Sequence, residues 1–300
     1  MYTYPWYHWI TFFYIYCFCG WIFESGYVSI KSGHFVNRGF LRLPMLPLYG
    51  TGAVMMLWFS LPVKDSIVLV YFAGVIAATI LEYVTGYVME RLFKMKYWDY
   101  SSQPFNLHGY ICLGSSIAWG FLTIFLTNVI HQPIAAFVLS LNPAVEFTFI
   151  GVVSVFFLSD SIKSTKEALD LGRALETMTK MKAELEEVQV QLALLKAETS
   201  QRVMELREET AQRVSGMKEE TALRVAEATQ KFLDRGEREE ALSARLHALT
   251  ESYKTLSHHM SFYRKSILRG NPTSSSSKFA EALKEFKDSV GSFKQQHKNN

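Results

Sequence analysis

Three carboxylates, Glu24, Glu82 and Glu146, stand in or beside long apolar runs of the 300-residue sequence. An ionised carboxylate in hydrocarbon costs at least ~2.5 kcal/mol, so each must face a bundle interior, a cavity or a partner. Arg38, Arg42 and His108 are the partners the sequence offers. Two chemistries fit: a site for an ion, a proton or a polar substrate, or a structural ion pair with no ligand. Cys17, Cys19 and Cys112 also lie in apolar runs. Cys17 and Cys19 point in different directions on a helix, make a poor metal pair and read as packing residues. No metal and no cofactor are implied. The sequence has no G-x-x-x-x-G-K-[ST] phosphate loop, no H-E-x-x-H and no G-x-S-x-G. The chain therefore reads as no enzyme; an intramembrane enzyme using its glutamates, Asp99 and His108 is the minor alternative. His258 and His259 read as exposed.

What must position these groups is a membrane domain. Before Asp160 the chain carries 7 Lys+Arg and 6 Asp+Glu, and from Asp160 onward 24 and 22. Apolar runs near 6–30, 44–61, 66–89, 107–130 and 143–159 are long enough to predict about five transmembrane helices within residues 1–159. Residues 132–141 are apolar but too short to cross alone, and read as a re-entrant or interfacial piece. The start has no basic stretch or cleavage pattern of a signal peptide, so the first span reads as uncleaved. The expected fold is all-α, a polytopic transmembrane helix bundle lodged in the lipid bilayer of the cell membrane.

Orientation follows from Lys and Arg. Lys31, Arg38 and Arg42 follow the first span, Arg91, Lys94 and Lys96 the third, and Lys163, Lys166 and Arg173 the fifth. The other connections hold only Lys64. These loops are expected in the cytoplasm, the N-terminus outside and the C-terminal arm inside. The net charge of +3 and the absence of a compact basic motif exclude nucleic acid as a partner.

Residues 160–269 predict a long cytoplasmic coiled-coil helix. Leu171, Leu175, Met178, Leu185, Val188, Leu192 and Leu195 follow heptads. An 11-residue repeat then runs through about 195–228, in the words ETSQRV, ETAQRV and ETALRV. That period favours a straight or gently right-handed supercoil. Heptads return at Leu242, Leu246, Leu249, Tyr253, Leu256, Met260, Tyr263 and Ile267, with a weak stretch around Gly236. Unbroken, ~110 residues would reach roughly 150 Å. The stripe suits a homo-oligomer or another helical protein partner, with a lipid-lying helix as the alternative. Residues 270–277 (GNPTSSSS) read as a flexible linker. Residues 278–294 read as a short amphipathic basic helix: Phe279, Leu283, Phe286, Val290 and Phe293 on one face, Lys278, Lys284, Lys287 and Lys294 around it. It docks either on protein or on the membrane surface.

Two polar segments precede the second and fourth spans, each with glycine for tight approach and proline to set the helix entrance. Asn106 is the expected N-cap of the fourth span. Six signatures stand in order along the chain: Glu24, NRGFL at 37–41, PMLPLYGTG at 44–52, LEY at 81–83, WDYS at 98–101 and PFNLHGYICL at 104–113. In their order and spacing, residues from about Cys17 to Trp119 resemble the bacterial membrane family described as putative ABC-transporter type IV. The chain departs from the family pattern at Leu43, in place of glycine, and at Tyr110, in place of a basic residue. The second change removes the charge an anion site would use there. The resemblance implies a permease-like protein and leaves the arm outside it.

Two functions follow. The first is a transport component with Glu24, Asn37, Arg38, Tyr49, Glu82, Asp99 and Asn106 around a polar site, powered, if by ATP, through a separate ATPase. The alternative is a membrane-anchored scaffold or sensor whose arm oligomerises or recruits partners.

Overall fold

The computed structural model describes residues 4–213, 220–258 and 262–296. Within these, the side chains of 206–207, 209–229, 232, 258, 262–263 and 290–296 are not described. Most of the 11-residue repeat therefore lies outside the described side chains, as do His258, His259, Met260, Tyr263, Val290, Phe293 and Lys294.

The described residues form helices joined by irregular loops: α1 Trp6–Ser32, α2 Pro47–Ser60, α3 Ile67–Phe93, α4 Leu113–Phe125, α5 His131–Ser140, α6 Pro143–Arg213, α7 Glu220–His258, α8 Phe262–Gly270 and α9 Ala280–Gln296. A 3₁₀ turn, Leu61–Val63, extends α2, and a π-helical turn, Leu126–Ile130, joins α4 to α5. Two compact units result, one of Met1–Leu175 with Met260–Asn300, the other of Glu176–His259.

Among the described residues three helices are long and apolar enough to cross a membrane: Ile67–Phe93, Leu113–Ser140 and Pro143–Glu205. A shorter apolar helix covers Pro47–Val63. Helix α1 has the length, 27 residues, and mixes Trp, Tyr and Phe with the aliphatic Ile10, Ile15, Ile22, Val28 and Ile30. The first unit keeps an apolar core around Phe12, Leu57 and Val138, but much of its surface is apolar as well. Ile76, Ile80, Phe121, Phe125, Val155 and Phe156 are exposed, while Thr11, Ser60, Glu82, Thr123, Thr127, His131 and Glu146 are buried. Lipid solvates the former; the latter have to find hydrogen-bond partners within the bundle.

The helix ends alternate between two poles of this unit. At one pole His8 meets Glu146, and Ser60 bonds Thr127 at 2.8 Å. At the other lie the loops 33–46 and 94–112, and the Asp160 carboxylate accepts the Arg42 and Leu43 N–H groups at 2.8 and 3.0 Å. Small residues bring the helices close. A Cβ on Gly74 of α3 would overlap the Thr123 side chain of α4.

Several expectations change. The fourth helix starts at Leu113, and its N-cap is Cys112, whose sulfur accepts from Ser115 N–H at 3.4 Å. Asn106 sits in the preceding loop instead. Residues 132–140 do not stand as a separate piece: they continue the helix that began at Leu113, through the π turn, and Leu141 follows as its C-cap. Asp160 marks no break either, because α6 runs unbroken from Pro143 to Arg213. The supposed linker 270–277 is docked, with Asn271, Ser274 and Ser276 buried. Phe279, Leu283 and Phe286 are buried within the first unit, so the described part of the apolar face of α9 docks on protein.

In the second unit α6 and α7 lie side by side. Gln191, Leu194 and Leu195 line one wall of a groove, Arg238, Ala241 and Leu242 the other, and Lys196 pairs with Glu239 at 3.5 Å. The chain thus doubles back rather than running on as a single rod. None of the seven heptad residues from Leu171 to Leu195 is exposed.

The close approach of α3 and α4 gives a direct prediction. Gly74→Val should destabilise the detergent-purified protein by about 1–3 kcal/mol through overpacking. Gly151→Val, where an added Cβ meets nothing within 4 Å, should leave the unfolding midpoint unchanged. Thermal unfolding of both variants checks this.

Candidate polar site within the helix bundle

A cavity of about 360 Å³ opens in the first unit between α1, α2, α3 and α4. Glu24, Arg38, Tyr49, Glu82, Tyr100 and Trp119 are among its lining residues. Glu82, 4% exposed, comes from the middle of α3. Its carboxylate accepts three hydrogen bonds: from Trp119 Nε1 at 2.9 Å, from the Tyr100 hydroxyl at 3.2 Å and from the Ser115 hydroxyl at 3.3 Å. All three donors are neutral, so they satisfy the oxygens without cancelling the charge. Burial, and then the neighbouring Glu82, push the Tyr100 phenol well above its ordinary range, which keeps it a donor.

Glu24 is held differently. The Tyr49 hydroxyl donates to it at 2.9 Å and Arg38 Nε lies 3.8 Å away. Arg38 is fixed from behind, its backbone N–H bonding the Ser25 hydroxyl at 3.1 Å. Its Nη1 donates to Gly270 O at 3.0 Å and to Asn271 Oδ1 at 2.7 Å. Asn271 itself lines the cavity.

The loop 94–112 forms a rim. Lys94, Phe105 and His108 adopt positive φ angles of 63°, 50° and 55°, unusual for residues with a Cβ. Asn106 holds the turn: its amide donates to Ser101 O and Gln103 O, and its oxygen accepts Gly109 N–H. Asp99 joins the rim to the C-terminal segment, accepting from the Ser101 hydroxyl, the Ser275 hydroxyl and Ser101 N–H, with Lys96 at 3.8 Å. Partial burial pushes the Asp99 carboxyl up, but these hydrogen bonds and the Lys96 charge together outweigh it, and the net direction is down.

A second polar cluster occupies the opposite pole. Glu146, fully buried, accepts from the Thr11 hydroxyl at 2.7 Å and pairs with His8 Nδ1 at 2.8 Å; its Oε2 has no hydrogen-bond partner among the described residues. Nearby on the same helix α1, Tyr16 hydrogen-bonds His131 Nδ1 at 2.9 Å.

Of the residues expected at one polar site, Glu24, Arg38, Tyr49 and Glu82 line the cavity. Asn37, Asp99 and Asn106 do not. Asn37 staples its own loop, accepting from Trp21 Nε1 at 2.6 Å and donating to Arg42 O at 2.9 Å. The expected partners also differ. His108 faces Tyr83 at 3.3 Å rather than a buried carboxylate, and Glu146 takes His8. Tyr100, Trp119 and Asn271 went unforeseen. The first two fall among many aromatics of the membrane domain, and Asn271 lies more than two hundred residues from Arg38.

Asp99 supplies a pH test. A carboxyl whose folded pKa is depressed contributes stability that is present above its ordinary value of 3.8 and is lost as pH falls through the folded value. Asp99→Asn should therefore lower the unfolding midpoint at pH 7, and the gap to the parent should close in acid below about pH 4. Paired melting curves across that range would show it; a gap independent of pH would contradict the assignment.

Comparison with curated proteins and with solved structures finds no match. A family model, described as putative ABC-transporter type IV, matches residues 11–165. The match takes in every residue named at either pole except His8 and every lining residue named above except Asn271, and extends beyond the stretch 17–119 on which the sequence motifs lie. On that match, which covers more than half of the chain, the protein belongs to the putative ABC-transporter type IV family.

Proposed function

We propose that this chain is the membrane component of a transport system for a small organic cation. The observation that carries the reading is the cavity beside Glu82: about 360 Å³, within the range of small-molecule sites, and placed inside a membrane bundle. Two carboxylates line it against one guanidinium, so its charge balance favours a positive ligand. Tyr49, Trp98, Tyr100 and Trp119 add aromatic faces of the kind that attract ammonium groups.

In this reading α1, α2, α3, the α4–α5 helix and the start of α6 are five spans. The alternation of helix ends between two poles supports an odd number of crossings. The basic loops at the Asp160 pole support a cytoplasmic placement for that pole, with the N-terminus outside. Energy would come from a separate ATPase, as the family's description suggests.

The test is binding of choline and putrescine to the detergent-purified full chain, followed through the fluorescence of Trp98 and Trp119. One or both should bind, and Glu82→Gln should weaken that binding at least about ten-fold, the equivalent of ~1.4 kcal/mol. Failure of both probes, or equal binding by Glu82→Gln, would sink the proposal.

A scaffold role for the second unit is favoured by one observation. Val190, Leu194 and Leu233 are more than half exposed on its two helices, an apolar surface suited to a partner helix or a second copy. Crosslinking and mass determination of the purified protein should give a defined oligomer, and Leu194→Glu with Leu233→Glu should reduce it to the monomer mass. A monomeric parent would leave that surface to another protein.

A further inference from the structure

The C-terminal segment that follows α8 has no counterpart in the family match, which stops at residue 165, yet its Asn271 lines the cavity and its Ser275 and Ser276 bond the 94–112 loop. We propose that residues 270–277 are a built-in plug, a displaceable closure that controls access to the Glu82 cavity. The proposal rests on reading that cavity as a ligand site.

The plug is built from three sets of contacts. Its tip is Asn271, 2% exposed, whose Nδ2 donates to Gly39 O at 3.2 Å and to Ile267 O at 2.9 Å while its oxygen takes Arg38 Nη1. The following residues clip onto the rim. Ser275 and Lys96 exchange backbone hydrogen bonds at 3.0 and 2.8 Å, the Ser275 hydroxyl donates to Asp99, and the Ser276 hydroxyl donates to Lys94 O at 2.9 Å. The third set holds the segment from behind. Lys287 Nζ, on α9, donates to Pro272 O at 3.0 Å and also to Ser274 O.

The chemistry is that of a reversible contact. Between Asn271 and Ser277 there is no large apolar side chain, so the segment's grip is made of hydrogen bonds that water can replace. The apolar anchors, Phe279, Leu283 and Phe286, lie on one side of it, and Ile267 and Leu268 of α8 on the other. Such an arrangement lets the short polar stretch lift while its flanks stay docked. Withdrawal would return Arg38 Nη1, now bonded to two carbonyl groups of the plug, to the cavity.

The experiment reads access directly. Thr85 lines the cavity, and Thr85→Cys is placed in a full-length background carrying Cys17→Ala, Cys19→Ala and Cys112→Ser. The purified protein is treated with aminoethyl methanethiosulfonate, a small cationic thiol reagent, and labelling is timed by mass spectrometry. Lys287→Ala, which loosens the plug without touching the cavity, should raise the rate about ten-fold, as ~1.4 kcal/mol would. Asn271→Ala should do the same. Unchanged rates in both variants overturn the plug. So does faster labelling in Asn271→Ala alone, which would report only a wider cavity. Because labelling needs no bound ligand, a rise in rate without choline or putrescine binding would retain the plug and remove the ligand reading.

Discussion

A carboxylate buried among apolar helices has to be satisfied from within, and Glu82 shows what that demands of its neighbours. The indole of Trp119 must point inward from α4 and Ser115 must sit one turn earlier on the same helix. Tyr100 must reach in from the loop between. Those three requirements fix the rotation of α4 against α3 and the path of the chain between them. They also explain why α4 begins at Leu113. Ser115 serves both the Cys112 cap and Glu82, so the start of the helix and the partner of the carboxylate are set by one side chain.

Close helix packing makes this possible. The Gly74–Thr123 approach draws α3 and α4 together, and the Thr123 hydroxyl is absorbed by bonds to Trp119 O at 2.8 Å and to Met56 sulfur. Around Glu82 the two helices are joined by polar contacts instead, Thr79 to Ser116 at 2.9 Å and Trp119 to Glu82 at 2.9 Å, beside the cavity. The lipid-facing residues contribute little specificity, since hydrocarbon solvates any apolar surface equally well. Specificity in this unit therefore resides in its few polar contacts.

Much of the membrane domain was legible in the sequence because its signals are local. Runs of apolar residues mark the helices, and an intramembrane carboxylate announces that something must answer it. The family motifs added Arg38 and Tyr49, both at the cavity. What could not be read was pairing over long separations. Nothing in the sequence ties His8 to Glu146, or Arg38 to Asn271. Nor could composition distinguish a docked NPTSSSS from a free one. Serine and asparagine are as suited to bonding a protein's backbone as to bonding water. The supposed rod failed for a related reason: a heptad stripe shows that a face will be buried, not whether by another chain or by its own.

Arg38 draws these strands together. Its guanidinium lies 3.8 Å from Glu24 through Nε, too far for a good hydrogen bond, while Nη1 makes two short ones to the C-terminal segment. The guanidinium divides its donors between the two sets, and the short bonds go to the segment. Its orientation therefore favours the segment, and Glu24 is left to rely on Tyr49. If the segment leaves, the same rigid fork can turn to Glu24 and complete that ion pair. The charge available to a ligand would then fall chiefly to Glu82. On the proposed plug, a contact far along the chain would set which carboxylate of the cavity is free to act.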